Sequence, residues 1–291
     1  MPPVGASRWP ARPAFPTAIL WLGAALLAVP TLYDIATGPW SLDEGSYGVI
    51  VLAIALWLIA RRWPAMRAAG KPGVQWLGWA LFAAALTVHI LARVVARIPT
   101  EAAALYVAGL AALYLQFGWP GLRQAAFPLA YLALAIPLSP ELVALGTGPL
   151  RLAITHLVVE LLGNAGLMIA SEGLTLYVDQ YEIAVAEACS GINSLISLTA
   201  IGLFYVHARG RRLGALSLPL VLAAILACAV IGNFARVLII VLLTHFFGEA
   251  VAQGPLHDAA GLSTFVVALG AVMALDATVL RRLLPSGDFN D

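Results

Sequence analysis

Apolar residues along the chain gather into runs near twenty residues long, separated by short polar or basic breaks. The runs cover about Thr17–Ala36, Ser46–Ala60, Val74–Ala92, Glu101–Gly118, Arg123–Leu138, Cys189–Val206, Leu213–Gly232 and Ala259–Leu280. A hydrocarbon core about 30 Å thick takes roughly 20 residues of helix to cross. The pattern therefore predicts an all-α polytopic membrane protein with about eight transmembrane helices. The first run follows Arg8 and Arg12, as in a signal peptide, but it is long for an h-region. No clear small-x-small cleavage site precedes Asp34, so the run is expected to be retained.

The stretch from Ser139 to Glu187 breaks the pattern, being too long for a tight loop and too mixed for a clean span. Between Pro149 and about Leu162, apolar residues recur at helical spacing beside Arg151, His156 and Glu160. That suits an interfacial amphipathic helix or a short re-entrant one. Farther on, LTLYV and YEIAVAE flank Asp179 and Gln180, two β-branched and aromatic runs around a polar turn, which predicts a short extracytoplasmic β-hairpin. The chain reads as a single integral membrane domain over 1–291. Its N-terminal spans cover 1–138, an extracytoplasmic insert covers 139–187, and the spans carrying the candidate chemistry cover 188–291.

Composition agrees with a protein solvated by the lipid bilayer: 62% of the 291 residues are hydrophobic, 11% are charged, and the mean hydropathy is +0.92. The net charge of +1 comes with Lys and Arg scattered between apolar runs, so no nucleic-acid partner is expected. The placement of those cations bears on topology. With the N-terminus inside, the cytoplasmic set is Arg8, Arg12, Arg61, Arg62, Arg67, Lys71, Arg123, Arg209, Arg211, Arg212, Arg281 and Arg282, against Arg93, Arg97, Arg151 and Arg236 outside. Both termini are then expected to be cytoplasmic, with most carboxylates outside.

Three residues stand out chemically. Cys189, in Glu187-Ala188-Cys189-Ser190-Gly191, sits where extended structure must turn into a membrane helix. Unpaired N–H groups and the helix dipole at such a start lower a thiol pKa. Ser190 could cap the helix, and Gly191 could permit close backbone approach. Cys228, in mid-span among apolar neighbours, reads as a small buried hydrophobe. Arg236, in Gly232-Asn233-Phe234-Ala235-Arg236, is expected just beyond a span, near the outer boundary. A guanidinium there calls for a partner or a task, although snorkelling to the headgroups is the plain alternative. Asn233, one turn earlier, could hold it or simply cap a helix. His257, before the last span, is either an interfacial anchor or an acid/base group, and His156 and His245 are rivals near the same face. A thiolate attacking a carbonyl, an imidazole moving protons and a guanidinium stabilising an oxyanion form a coherent set.

These residues resemble the exosortase/archaeosortase family of multi-span membrane enzymes. Its pattern is an acidic-Ala-Cys-small-Gly segment, then Asn-x-x-Arg, then a His close before the last span. The matches are Glu187 to Gly191, Asn233 to Arg236, and His257 with Gly261. Members often carry a basic residue two positions after the motif glycine, where this chain has Asn193. The resemblance implies a cysteine protease or transpeptidase, with Cys189 as nucleophile, His257 as acid/base and Arg236 as oxyanion or thiolate stabiliser. It implies substrate proteins with a C-terminal sorting tail made of a short motif, a membrane helix and a basic cluster, cut at the extracytoplasmic face. It further implies a place in the bacterial inner membrane, an association with exopolysaccharide machinery, and no metal or other cofactor. The acceptor nucleophile is left open. A transporter or channel, or a non-catalytic subunit of polysaccharide export, are the rival readings; both would tolerate loss of Cys189.

Overall fold

The structure is a computed structural model that describes residues 14–41, 47–184, 191–208, 217–248, 266–267, 269–274 and 277–278. By length and composition, Tyr47–Ala69, Gln75–Val94, Ile98–Gln124, Glu141–Asn164 and Leu222–Phe247 are long and apolar enough to cross a membrane. Among the described residues, the shorter apolar helices Ala25–Thr37, Ala126–Ala135 and Ile196–Ala208 accompany them. The protein is thus the polytopic, helical membrane protein that its hydropathy predicts. It divides into two compact units, Met1–Pro137 and Leu138–Asp291.

The first unit holds α1 (Ala14–Thr37), α2 (Tyr47–Ala69), α3 (Gln75–Val94), α4 (Ile98–Gln124) and α5 (Ala126–Leu132), the last followed by a 3-10 turn, Ala133–Ala135. Helix α2 runs nine residues past the apolar boundary expected at Ala60. Two of its three arginines lie on aromatic faces, Arg61 5.0 Å from the Trp57 ring and Arg67 5.4 Å from Trp63. Helix α4 kinks at Gly118, whose φ of 58° and close approach to the Lys71 carbonyl exclude any side chain: a Cβ would lie 2.2 Å from that oxygen. The run expected as one span from Arg123 to Leu138 is instead α5 plus the 3-10 turn, too short to cross a bilayer alone.

A buried polar network ties α1, α3 and α4 together. The Glu101 carboxylate, 3% exposed, accepts from Thr31 at 2.7 Å and from Arg93 at 2.5 Å, and Arg93 reaches Asp34 at 3.2 Å. His89 is buried against the Glu101 carbonyl at 3.2 Å. Glu101 is buried but Arg93 is 42% exposed, so removing the guanidinium leaves a buried carboxylate uncompensated, at a cost below that of breaking a fully buried pair. Arg93→Ala should therefore lower the thermal unfolding temperature in detergent more than Glu101→Gln, which removes the buried charge itself. The reverse order would show that Glu101 does not depend on Arg93.

The second unit begins with α6 (Pro140–Asn164). Ser139 caps it by accepting from the Leu142 N–H at 3.3 Å, Pro140 opens the first turn, and Glu141 complements the dipole. The segment Pro149–Leu162, expected as an interfacial or re-entrant helix, is the second half of this longer element. Pro149 lies within it without ending it.

The sheet that follows is antiparallel in the order β1 (Ile169–Glu172), β2 (Thr175–Val178) and β3 (Tyr181–Ala184). The hairpin expected around Asp179-Gln180 is present, with Val178 paired to Tyr181, and β1 adds a strand that pairs Glu172 with Thr175. Both turns have two residues, and the first of each, Gly173 (φ 59°) and Asp179 (φ 54°), is left-handed, as a tight hairpin requires. Leu176, Val178 and Ile183 are buried with Ile154, Val158 and Leu162 of α6. The opposite face of the sheet exposes Glu172, Tyr177 and Glu182. The Glu182 charge, aided by desolvation and then by Glu172, pushes the Tyr177 phenol above its ordinary pKa.

Helices α7 (Gly191–Ala208) and α8 (Ser217–Phe247) complete the unit, with further helix at 266–267 and 269–274. Val237, Ile240 and Val241 of α8 join the apolar cluster under the sheet. At the end of α8, His245 Nδ1 lies 2.5 Å from Asp179 Oδ2, which holds the hairpin turn against the helix terminus. Asp179 also donates its N–H to the Met168 carbonyl just after α6. Thus α6 and α8 both run up to the same turn.

Candidate functional site

Helix α8 corrects one expectation. No span ends at Gly232: the helix continues through Gly232 and Asn233 to Phe247, so Arg236 lies inside one long helix, nine residues before His245. Apolar packing on both sides carries the helix through a glycine that reads locally as a stop. Arg236 is partly buried in a stretch of span-forming hydropathy.

Which way Arg236 faces follows from helical spacing. Ile225 and Ala229 of α8 pack with Leu198 and Val206 of α7, and Cys228 and Tyr205 lie against the same cluster. Arg236 follows Ala229 by seven residues and Ile225 by eleven, so it shares the α8 face that meets α7. Gly202 sets the register of the two helices, since a Cβ there would come 2.8 Å from Ile225 Cδ1. The helices are consecutive and joined by a short connection, which makes them antiparallel neighbours. Gly191 is eleven residues before Gly202 and Arg236 eleven residues after Ile225, about 16 Å along each axis. The first turn of α7 and the guanidinium helix position are therefore level.

Cys189, Ser190 and Glu187, immediately before α7 in the sequence, lie outside the described residues, as does His257. The described candidates are Gly191, which opens α7, and Asn233 and Arg236 on α8. Asn233 does not hold the guanidinium. It is 6% exposed, and its Oδ1 is buried with no hydrogen-bond partner. Asn233 instead continues the stripe of Val237, Ile240 and Thr244, which faces the core beneath the sheet. Cys228 is a free cysteine packed at the α7–α8 cluster, in keeping with a hydrophobic role.

The other histidines occupy distinct places. His156 is on the exposed side of α6, His245 is committed to Asp179, and His89 belongs to the network of the first unit. Among the described residues no group of three or more His, Cys, Asp or Glu side chains could hold a metal ion.

Sequence reading missed two features that the structure brings to this region. Strand β1 was signalled by Gly173 at the first position of a two-residue turn. Arg151 was read as part of an amphipathic pattern and as an outer-face cation, yet it lies midway along α6 on the side of Ile154, Thr155 and Val158, all buried, with its own Nε buried and without a hydrogen-bond partner.

The second unit thus seats a small sheet on two long helices and carries a cation inside one of them, level with the start of a third. The chain belongs to the transmembrane exosortase family, whose family model matches residues 40–274. No curated protein and no solved structure matches the chain. Membership supports a membrane protease or transpeptidase role in general terms.

Proposed function

We propose that the chain is a cysteine endopeptidase and transpeptidase of the bacterial inner membrane that cuts C-terminal sorting tails at the extracytoplasmic face. Cys189 is the nucleophile, His257 the acid/base and Arg236 the oxyanion stabiliser. Glu187, Ser190 and Gly191 support them, and Asn233, which does not hold the guanidinium, supports the site from the core-facing side of α8. The observation that carries this reading is the register of α7 on α8, which sets Arg236 level with Gly191, two residues after Cys189 in the sequence.

In the reaction, the thiolate adds to the carbonyl carbon of the scissile peptide, and the oxyanion that forms draws on the guanidinium. Collapse of the tetrahedral adduct breaks the C–N bond. The leaving amine takes a proton from the imidazolium that received the thiol proton, and a thioester remains. Water or an acceptor nucleophile then releases the acyl group and regenerates the thiol. The substrates are proteins that end in a short motif, an apolar helix and a basic cluster, and the activity is linked to protein sorting and exopolysaccharide.

Surface proteomics of cells with and without the chain tests this. Proteins ending in such tails should show new C-termini just before the apolar helix only when the chain is present. Intact tails in both strains would remove the reading.

A further inference from the structure

Arg151 and Asn233 occupy matching places on the two helices beneath the sheet. Leu150 and Phe234 pack against the same apolar cluster; Arg151 directly follows the first, and Asn233 directly precedes the second. Arg151 shares the face of Ile154, Thr155, Val158 and Leu162, and Asn233 shares that of Val237, Ile240 and Thr244, so both face the common core. Both helices rise to the Asp179 turn. Arg151 lies thirteen residues before the end of α6 and Asn233 twelve before His245, about 18–20 Å below the turn in each case.

One polar atom of each is complementary to the other residue's and unpaired. Arg151 Nε is a buried donor and Asn233 Oδ1 a buried acceptor, each without a hydrogen-bond partner. A buried polar group left unpaired costs about 1–3 kcal/mol. A cation midway along a span-length helix adds a further penalty, and intramembrane charges of this kind mark binding paths. Two such costs at one end of one core point to a ligand that brings both an acceptor and a donor. A peptide group does so, offering its carbonyl oxygen to the guanidinium and its N–H to the amide oxygen.

We propose that Arg151 and Asn233 form a binding subsite for the backbone of the substrate peptide, about one helical turn from Arg236, with Arg151 as the oxygen-holding cation. The proposal rests on the reading of Cys189 as the nucleophile of this unit. Arg151 is a positioning residue: it holds the peptide while Arg236 serves the reacting carbonyl.

The test uses the full chain in membranes, in a Cys228→Ala background so that Cys189 is the thiol that reacts. Second-order alkylation rates are measured with iodoacetate, whose carboxylate presents oxygens to the subsite, and with neutral iodoacetamide. Arg151→Gln should lower the iodoacetate-to-iodoacetamide ratio at least about 5-fold, Arg151→Lys should lower it less, and Arg62→Gln should leave it unchanged. A merely structural Arg151 would lower the unfolding temperature and leave the ratio untouched, and that result overturns the subsite. A Cys189 that reacts with neither reagent in the parent would overturn the nucleophile assignment itself, and the subsite with it. The two failures are thus distinct.

Discussion

Cys189→Ala should abolish processing of tail-bearing proteins while the chain still inserts and accumulates, and Cys228→Ala should leave processing unchanged. The contrast follows from the packing of Cys228 and from the place of Cys189 in the sequence. Cys228 packs against Leu198, Ile225 and Ala229 between α7 and α8, and an alanine there removes one sulfur from an apolar contact. Cys189 comes two residues before Gly191 in the sequence, and Gly191, which opens a helix of the same pair, is level with Arg236 on its neighbour. Loss of the nucleophile from a catalytic set that acts as a unit costs on the order of 10⁶-fold in turnover, far below detection in a cellular assay. Intact tails accumulating with Cys189→Ala, measured by mass spectrometry of C-terminal peptides, would agree with the assignment. Reduced abundance with normal processing per molecule would instead make Cys189 a packing residue, and equal processing in both variants would remove it from the chemistry.

Hydropathy made the class of fold legible because a bilayer demands long apolar helices whatever their neighbours. It could not report how the helices sit against one another. Gly232-Asn233 reads as the end of a span, yet α8 passes through it because its flanks pack on α7 and on the sheet at once. The start of α6 was written locally in Ser139-Pro140-Glu141, a cap, a first-turn proline and a first-turn acid. The polar residues Arg151, His156 and Glu160 hid it by diluting the apolar run. They turn out to lie on different sides of one helix, His156 exposed and Arg151 facing the core. The hairpin was legible from its turn, whereas β1 depended on a single glycine. Arg236 was visible in the sequence as a charge within an apolar stretch. Its level relative to α7 was not, since that depends on Gly202 admitting Ile225.

Arg236→Lys should impair turnover about 100-fold or more although the charge is kept. Lysine presents a compact ammonium on a flexible stem, whereas the guanidinium is a planar fork of fixed donors. Arg236 stands on the α8 face that meets α7, seven residues after Ala229. From that fixed helical position only a group with spread donors can serve both a thiolate and an oxyanion. Removing one such donor from a tetrahedral intermediate costs about 10²–10³ in turnover in comparable sites. A snorkelling anchor would behave otherwise, because lysine reaches the headgroups as arginine does. The measurement is the rate of tail cleavage at equal membrane abundance, paired with the alkylation rate of Cys189 as a function of pH. If Arg236 stabilises the thiolate, alkylation in Arg236→Gln should require higher pH than in the parent, with lysine in between. Near-normal cleavage in Arg236→Lys, with an unshifted alkylation profile in Arg236→Gln, would reduce Arg236 to an anchor and leave the oxyanion to another donor.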